Sequence, residues 1–429
     1  MTTSVTENRS GRRLRDAEEL RREVSEVVGA APVFDMHTHL YAPEFGELGL
    51  SGIDELLTYH YLVAETFRSA RVGYDEFWRM SKSEQADLVW RTLFVENTPV
   101  SEAARGVVTV LDAFGLDAAA ADLREAREFF RSQEPSSHLA RVLELAGVSD
   151  VVMTNDPFDP REASVWEGGG GGADARFHAA LRMDGLLNDW ENSSAELAAR
   201  GYRVGAGFGG ATAAEVRRFL DVWVERMRPV YMAVSLPDDF GHPAEDARGR
   251  LIREVVLPTA RAHGLPFALM VGVRRGVNPA LRAAGDGVGR ADVSAIERLC
   301  AENPDVRFLA TFLSRENQHE LCVSARKFSN LLPFGCWWFL NNPSIIKEIT
   351  AERLELLGTS FVAQHSDARV LEQLVYKWKH SRRVVADALA DAYGRLLESG
   401  RAVTRAEVGR DAARLFDGNF RACVSRSNR

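Results

Sequence analysis

Cysteine is scarce in this chain, and its spacing pairs none of it. Four occur in 429 residues, at Cys300, Cys322, Cys336 and Cys423, with no Cys-x-x-Cys among them. That pattern excludes a disulfide framework or a zinc ribbon and suits the reducing cytoplasm. No stretch approaches the ~18 consecutive apolar residues of a membrane span. The first thirty residues carry no apolar signal core, so neither a membrane protein nor a secreted one is expected. Positive charge is not in surplus either: 53 Lys and Arg stand against 61 Asp and Glu, a net charge of −8. A nucleic-acid partner therefore has no basic face to meet. The basic run from Arg9 to Arg15 is offset by Asp16, Glu18 and Glu19 and reads as a solvated lead-in to a helix. The chain shows no internal repeat, and the run Gly168–Gly172 lacks the Lys-Ser/Thr that would make it a phosphate loop.

What is present is an ordinary globular balance, 45% hydrophobic and 27% charged, in a chain long enough for one large α/β barrel or two domains. Short β-branched or apolar runs recur at Val33–Phe34, Asp150–Thr154, Phe177–Leu181, Val230–Ser235, Pro266–Val271, Val306–Ala310, Leu331–Gly335 and Ser360–Gln364. Amphipathic helical segments separate them. Between the first two runs lie only helical candidates: Ile53–Ala70, Ser83–Phe94, Ser101–Phe114, Ala118–Arg131 and Ser137–Leu145. Strands alternating with helices pair in parallel through right-handed crossovers. Eight such units predict an α/β fold, a (β/α)8 TIM-type barrel with a helical insertion after strand one; a doubly wound open sheet is the alternative. The expected layout is an N-terminal helical lead-in over residues 1–30 and a barrel over 31–429, with the insertion at about 52–147.

In a barrel, functional side chains sit where strands run out into the following loops. Strand one runs out through His37-Thr38-His39. Side chains alternate along a strand, so the two imidazoles project together while Thr38 points away. Neutral imidazole is a favoured ligand of zinc and its neighbours. Strand eight runs out into His365-Ser366-Asp367-Ala368-Arg369, and strands one and eight adjoin when a barrel closes. His37, His39 and Asp367 can then share one ion with positions left open, the arrangement of a catalytic metal. Arg182, Arg274 and Arg369, with Arg315 as a further candidate, recur at other exits and point to an acidic small molecule. Asp184 and Glu316 are the local partners that could instead neutralise Arg182 and Arg315. Trp337 and Trp338 follow strand seven, as core aromatics or as a wall for a sugar. His60-Tyr61 lies in a predicted helix, where such residues are usually structural.

These stretches resemble the uronate isomerases, an outlying branch of the amidohydrolase superfamily. The resemblance is carried by Asp35-Met36-His37-Thr38-His39-Leu40, by His60-Tyr61, and by Phe114-Gly115-Leu116-Asp117. It continues through Thr154-Asn155-Asp156-Pro157-Phe158-Asp159, Arg182-Met183-Asp184 and Gly272-Val273-Arg274-Arg275-Gly276-Val277-Asn278. Phe334-Gly335-Cys336-Trp337-Trp338-Phe339 is its most specific stretch, followed by Ser366-Asp367-Ala368-Arg369 and Lys379-His380-Ser381-Arg382-Arg383. Met270 stands where the family pattern carries a histidine, Asn155 where it carries an aspartate, and Ala104-Arg105-Gly106-Val107 replaces its aromatic-threonine segment.

The resemblance implies one divalent metal, zinc with manganese or iron as alternatives, held by His37, His39 and Asp367. It implies a substrate site lined by His60, Tyr61, Arg182 and Arg369, with Arg274, Trp337, Trp338 and His380 as further substrate-binding candidates. His60, Tyr61 and Asp367 are the catalytic candidates. The implied reaction interconverts a hexuronate aldose and its ketose, glucuronate and fructuronate for instance, through an enediol. Such chemistry needs a base beside one carbon and stabilisation of oxyanion charge. Asp367, a metal-bound hydroxide and Tyr61 are each candidates for that base. The alternative is a diverged hydrolase or decarboxylase of an acidic small molecule; a silent sugar-acid sensor is a third reading. Self-association into a homo-oligomer is implied by the resemblance alone.

Overall fold

The structure, a computed structural model, describes residues 11–425. Residues 1–10, the first part of the expected lead-in, lie outside the described residues. Seven parallel strands follow one another in chain order around a curled sheet: β1 Val33–Thr38, β2 Val148–Asn155, β3 Phe177–Arg182, β4 Tyr231–Pro237, β5 Phe267–Arg274, β6 Phe308–Phe312 and β7 Leu331–Pro333. Registers run without interruption between β2 and β3, as in Val151↔Phe177, and between β6 and β7, as in Phe308↔Leu331. A short strand, Gly287–Val288, returns antiparallel against the end of β5. Most strand residues are buried, and β1 and β6 are buried throughout. That is the expected state of a parallel sheet covered on both faces.

The two faces divide the core. Phe34, Met36, Val152, Tyr231, Ala233, Ala268, Met270 and Leu309 pack inside the curl. The alternate positions Val33, Val151, Leu181, Met232 and Leu269 face the surrounding helices. Between Asp35 and Thr38 the register of β1 against β2 shifts. Such an irregularity re-aims a side chain, and here it brings His37 alongside Met36, with its ring against inward-facing Tyr231.

Three sequence expectations change at the level of elements. The strand expected over Ser360–Gln364 is reduced to one bridge, Phe334↔Val362. Its ladder stops because the Gln364 side-chain oxygen, not a backbone carbonyl, accepts the N–H of Cys336 (2.6 Å) and that of His365 (3.1 Å). The segment is still bonded on both sides. Gly335 N–H donates to Val362 O (3.0 Å), Asp367 N–H to His37 O (3.1 Å) and His39 N–H to Ala368 O (2.7 Å).

The single helix expected over Ile53–Ala70 is two, Ile53–Leu57 and His60–Thr66. Thr58 donates its hydroxyl back to Asp54 O (2.7 Å), the kind of local bond that bends or ends a helix. A further helix, Tyr74–Arg79, was not anticipated; it docks on the loop after β5 through Trp78 Nε1 donating to Ala280 O (2.8 Å). Helix Gln373–Glu398 packs against helix Ala17–Ala30 and, through Trp378, reaches β1.

Candidate active site

The two imidazoles and the Asp367 carboxylate, from the segment that follows β7, converge. His37 Nε2 lies 3.7 Å and His39 Nε2 3.4 Å from Asp367 Oδ1. Among the described residues this is the one cluster of three His, Cys, Asp or Glu side chains whose ligand atoms lie within 4.8 Å of one another. Both rings are oriented from behind. Tyr231 spends its hydroxyl proton on Met36 O (2.7 Å), so its oxygen accepts from His37 Nδ1 (3.1 Å). Thr154 likewise donates to Thr38 O (2.9 Å) and accepts from His39 Nδ1 (2.9 Å). This network assigns the proton to Nδ1 of each ring and leaves both Nε2 lone pairs facing the carboxylate. Burial holds His37 well below its ordinary pKa, so its ring is neutral.

Asp367 sits in the left-handed region, φ 51°, a costly conformation for a non-glycine residue that marks functional positions when its surroundings enforce it. Its carboxyl is held well below the usual range although burial opposes the charge, and the buried Lys377 ammonium is the nearby positive group that favours it. Its Oδ1 is buried without a hydrogen-bond partner. Three acceptor atoms aimed at one another, one of them orphaned, repel unless a cation lies between them. The residues present therefore fit a divalent metal with mixed imidazole and carboxylate ligation.

The cradle forms the floor of a cavity of about 540 Å³, whose lining includes His60, Tyr59, Arg182, Arg275, Arg282, Trp337, Trp338 and Arg369. Arg182 is held by Asp184, Nε to Oδ2 at 3.0 Å. The Arg369 backbone is fixed by Gln373 Oε1 (2.9 Å), while its guanidinium has no carboxylate partner among the described residues. His60 is pushed down to about 4 by burial and is neutral; Trp338 Nε1 donates to its Nε2 at 3.0 Å. Trp338 is itself at φ 49° and stacks on Phe339. Tyr61 lies behind this wall, in an adjoining chamber of about 170 Å³ shared with Glu102, Tyr376 and Lys377. Its hydroxyl is buried and unpartnered.

Three other sequence candidates lie outside the cavity lining. Arg274 is more than half exposed, 3.7 Å from Asp238, and it is the next residue, Arg275, that lines the cavity, paired with Asp286. Arg315 pairs with Glu348 at 2.8 Å on the surface. His380 is bonded to Glu102 (2.6 Å) and Thr109 (2.9 Å) on helix Gln373–Glu398. Met270 belongs to the inner apolar cluster. Sequence reasoning missed Tyr231 and Lys377, which sit in apolar strand and helix contexts and have no spacing signal, and passed over Asp35. Asp35 accepts Ser366 N–H (3.0 Å) and Trp378 Nε1–H (2.8 Å), and burial raises its pKa to about 6.

A buried imidazole–carboxylate cradle at the carboxyl ends of a curled parallel sheet, opening into a cavity rimmed by guanidinium groups, defines an α/β enzyme with a site able to hold a metal. No protein-family model and no curated protein matches the chain, but solved structures do. A uronate isomerase from Bacillus halodurans is 54% identical over 96% of this chain and 98% of that one, with a TM-score of 0.94. A uronate isomerase from Thermotoga maritima (15% identity, 96% and 100% covered, TM-score 0.72) and a glucuronate isomerase from Caulobacter crescentus (16%, 96% and 95%, TM-score 0.74) share the fold. The chain belongs to the uronate isomerase family.

Proposed function

We propose that the protein is a metal-dependent aldose–ketose isomerase acting on a hexuronate, of the glucuronate-to-fructuronate type. The observation that carries this reading is the His37–His39–Asp367 cradle facing a cation-rich cavity in a chain 54% identical to a uronate isomerase. In this reading residues 361–368, bonded to both β7 and β1, close the sheet as a (β/α)8 barrel, with residues 52–147 as its helical insertion. His37, His39 and Asp367 would hold zinc, with manganese or iron as alternatives; the bound ion would supply Lewis-acid polarisation of substrate oxygens.

The chain's own groups fit the remaining tasks. Isomerisation moves a proton from C2 to C1, so one group must accept it and another must steady the enediol oxygens. Asp367, held as an anion beside the cavity, suits the base. Burial keeps Tyr61 well above the ordinary phenol pKa, so it is a hydrogen-bond donor rather than a base. Arg369, with no carboxylate partner among the described residues, suits the substrate's C6 carboxylate, and His60 stands neutral in the same cavity. Incubating the metal-loaded protein with glucuronate or galacturonate in deuterated water should yield the ketouronate, followed by NMR. Absence of turnover for every hexuronate, with metal stoichiometrically bound, overturns the reading.

A further inference from the structure

Asp367 can serve the cradle only if its backbone stays in the left-handed region, and the structure shows what holds it there. The peptide joining Ser366 to Asp367 is gripped at both ends. Its N–H donates to His37 O on β1 (3.1 Å), and its carbonyl accepts from Lys377 Nζ (2.5 Å). The preceding peptide is gripped too, because Ser366 N–H donates to Asp35 Oδ1, whose other oxygen is braced by Trp378 Nε1. Lys377 and Trp378 are consecutive on one helix. Lys377 is 3% exposed, and no carboxylate lies within salt-bridge distance of it among the described residues. A buried ammonium with one carbonyl partner is a poor way to stabilise a helix, and an apolar side chain would pack there at less cost.

We propose that Lys377 and Trp378 form a clamp that sets the orientation of the Asp367 carboxylate, making them positioning residues for the cation cradle. This rests on the reading that the cradle holds a divalent cation. Outer contacts of this kind change metal affinity or turnover by about 10- to 100-fold when removed. In Lys377→Met, which keeps the stem and deletes the charge, metal affinity measured by chelator competition should fall within that range. The kcat should fall with it while KM stays within about twofold, and the melting temperature of the metal-free protein should not fall.

The chamber beside Lys377 leaves room for rescue. Ethylammonium should restore metal affinity to Lys377→Ala, whereas tetramethylammonium, which has no N–H, should not. Wild-type affinity and kcat in Lys377→Met overturn the clamp; so does a loss that tracks a lowered melting temperature and ignores ethylammonium. If that variant does not fold, Trp378→Phe decides, since it removes the indole N–H while keeping an aromatic side chain in the core. Weakened metal affinity at a wild-type melting temperature supports the clamp, and unchanged affinity overturns it. Metal affinity is read without substrate, so failure of uronate turnover in the wild type would refute the proposed reaction and leave this test standing.

Discussion

At the scale of single residues, the cradle depends on groups that never touch the ion. The proton on His39 Nδ1 is fixed because Thr154 has one hydroxyl proton and directs it to Thr38 O. Thr154→Val keeps the shape and removes both bonds, so the His39 tautomer is no longer assigned. Metal affinity should fall by about 10- to 100-fold, with a stability loss of about 1–2 kcal/mol. Chelator competition and a urea melt check the two; wild-type metal affinity would mean that the ring is oriented by other means. Arg369 is the complementary case, a guanidinium lining the cavity without a carboxylate of its own. A charge-assisted hydrogen bond is worth about 1.5–3 kcal/mol, so Arg369→Met should lower kcat/KM for uronates by about 10- to 100-fold. A neutral aldose of the same stereochemistry should lose much less. Equal losses for the two substrates would remove the guanidinium from any role in reading charge.

At the scale of elements, the carboxylate arrives because the segment after β7 gives up its ladder early. Gly335 has φ 56°, and a Cβ there would lie 1.8 Å from His365 Nδ1. This close approach lets His365 fill the inner space against His37 and Phe334. Gly335→Ala must strain the backbone and displace a buried ring, and should cost about 2–4 kcal/mol. Gly400→Ala, also at positive φ but with nothing within 4 Å, should cost about 1 kcal/mol. Thermal melts of the two variants check the ranking, and equal losses would contradict it. The same region marks the limit of what the sequence made legible. Strands at residues 148–155, 177–182, 267–274 and 308–312 were readable because each contains a short apolar or β-branched run, such as Val151–Met153 and Phe267–Val271. The exchange of backbone for Gln364 side-chain bonds leaves no such trace. His37, His39 and Asp367 were readable from parity and strand adjacency. Tyr231 was not: it is 194 residues from its imidazole and looks like any core aromatic. The choice between Arg274 and Arg275 turned on a single residue of register, at a strand end where the chain doubles back antiparallel.

For the whole molecule, building a site from buried imidazoles makes folding depend on pH, with a sign that follows from linkage. His60 and His365 are lowered from 6.5 to about 4, in both cases mainly by burial. The folded state binds fewer protons at these rings than the unfolded chain does between pH 4 and 6.5. Their contribution to stability is therefore present above 6.5 and is lost as the pH falls towards 4. Asp35 acts oppositely: raised from 3.8 to about 6 by burial, it makes folding less favourable as the pH rises through the same window. Each pKa unit corresponds to about 1.4 kcal/mol, so one displaced carboxyl roughly offsets one displaced imidazole. His37, also lowered by burial, adds to the imidazole side and leaves it in excess. The metal-free protein should gain several kcal/mol between pH 4.5 and 6.5, on the order of one or two displaced imidazoles. Urea midpoints across this range should climb with pH and level off near 7, and midpoints that fall or stay flat would show that the imidazoles are not held neutral by the fold. A bound cation competes with protons for His37 and His39, so loading the cradle should steepen the climb. Comparing the two curves separates the fold's own demand for neutral rings from the demand imposed by the metal.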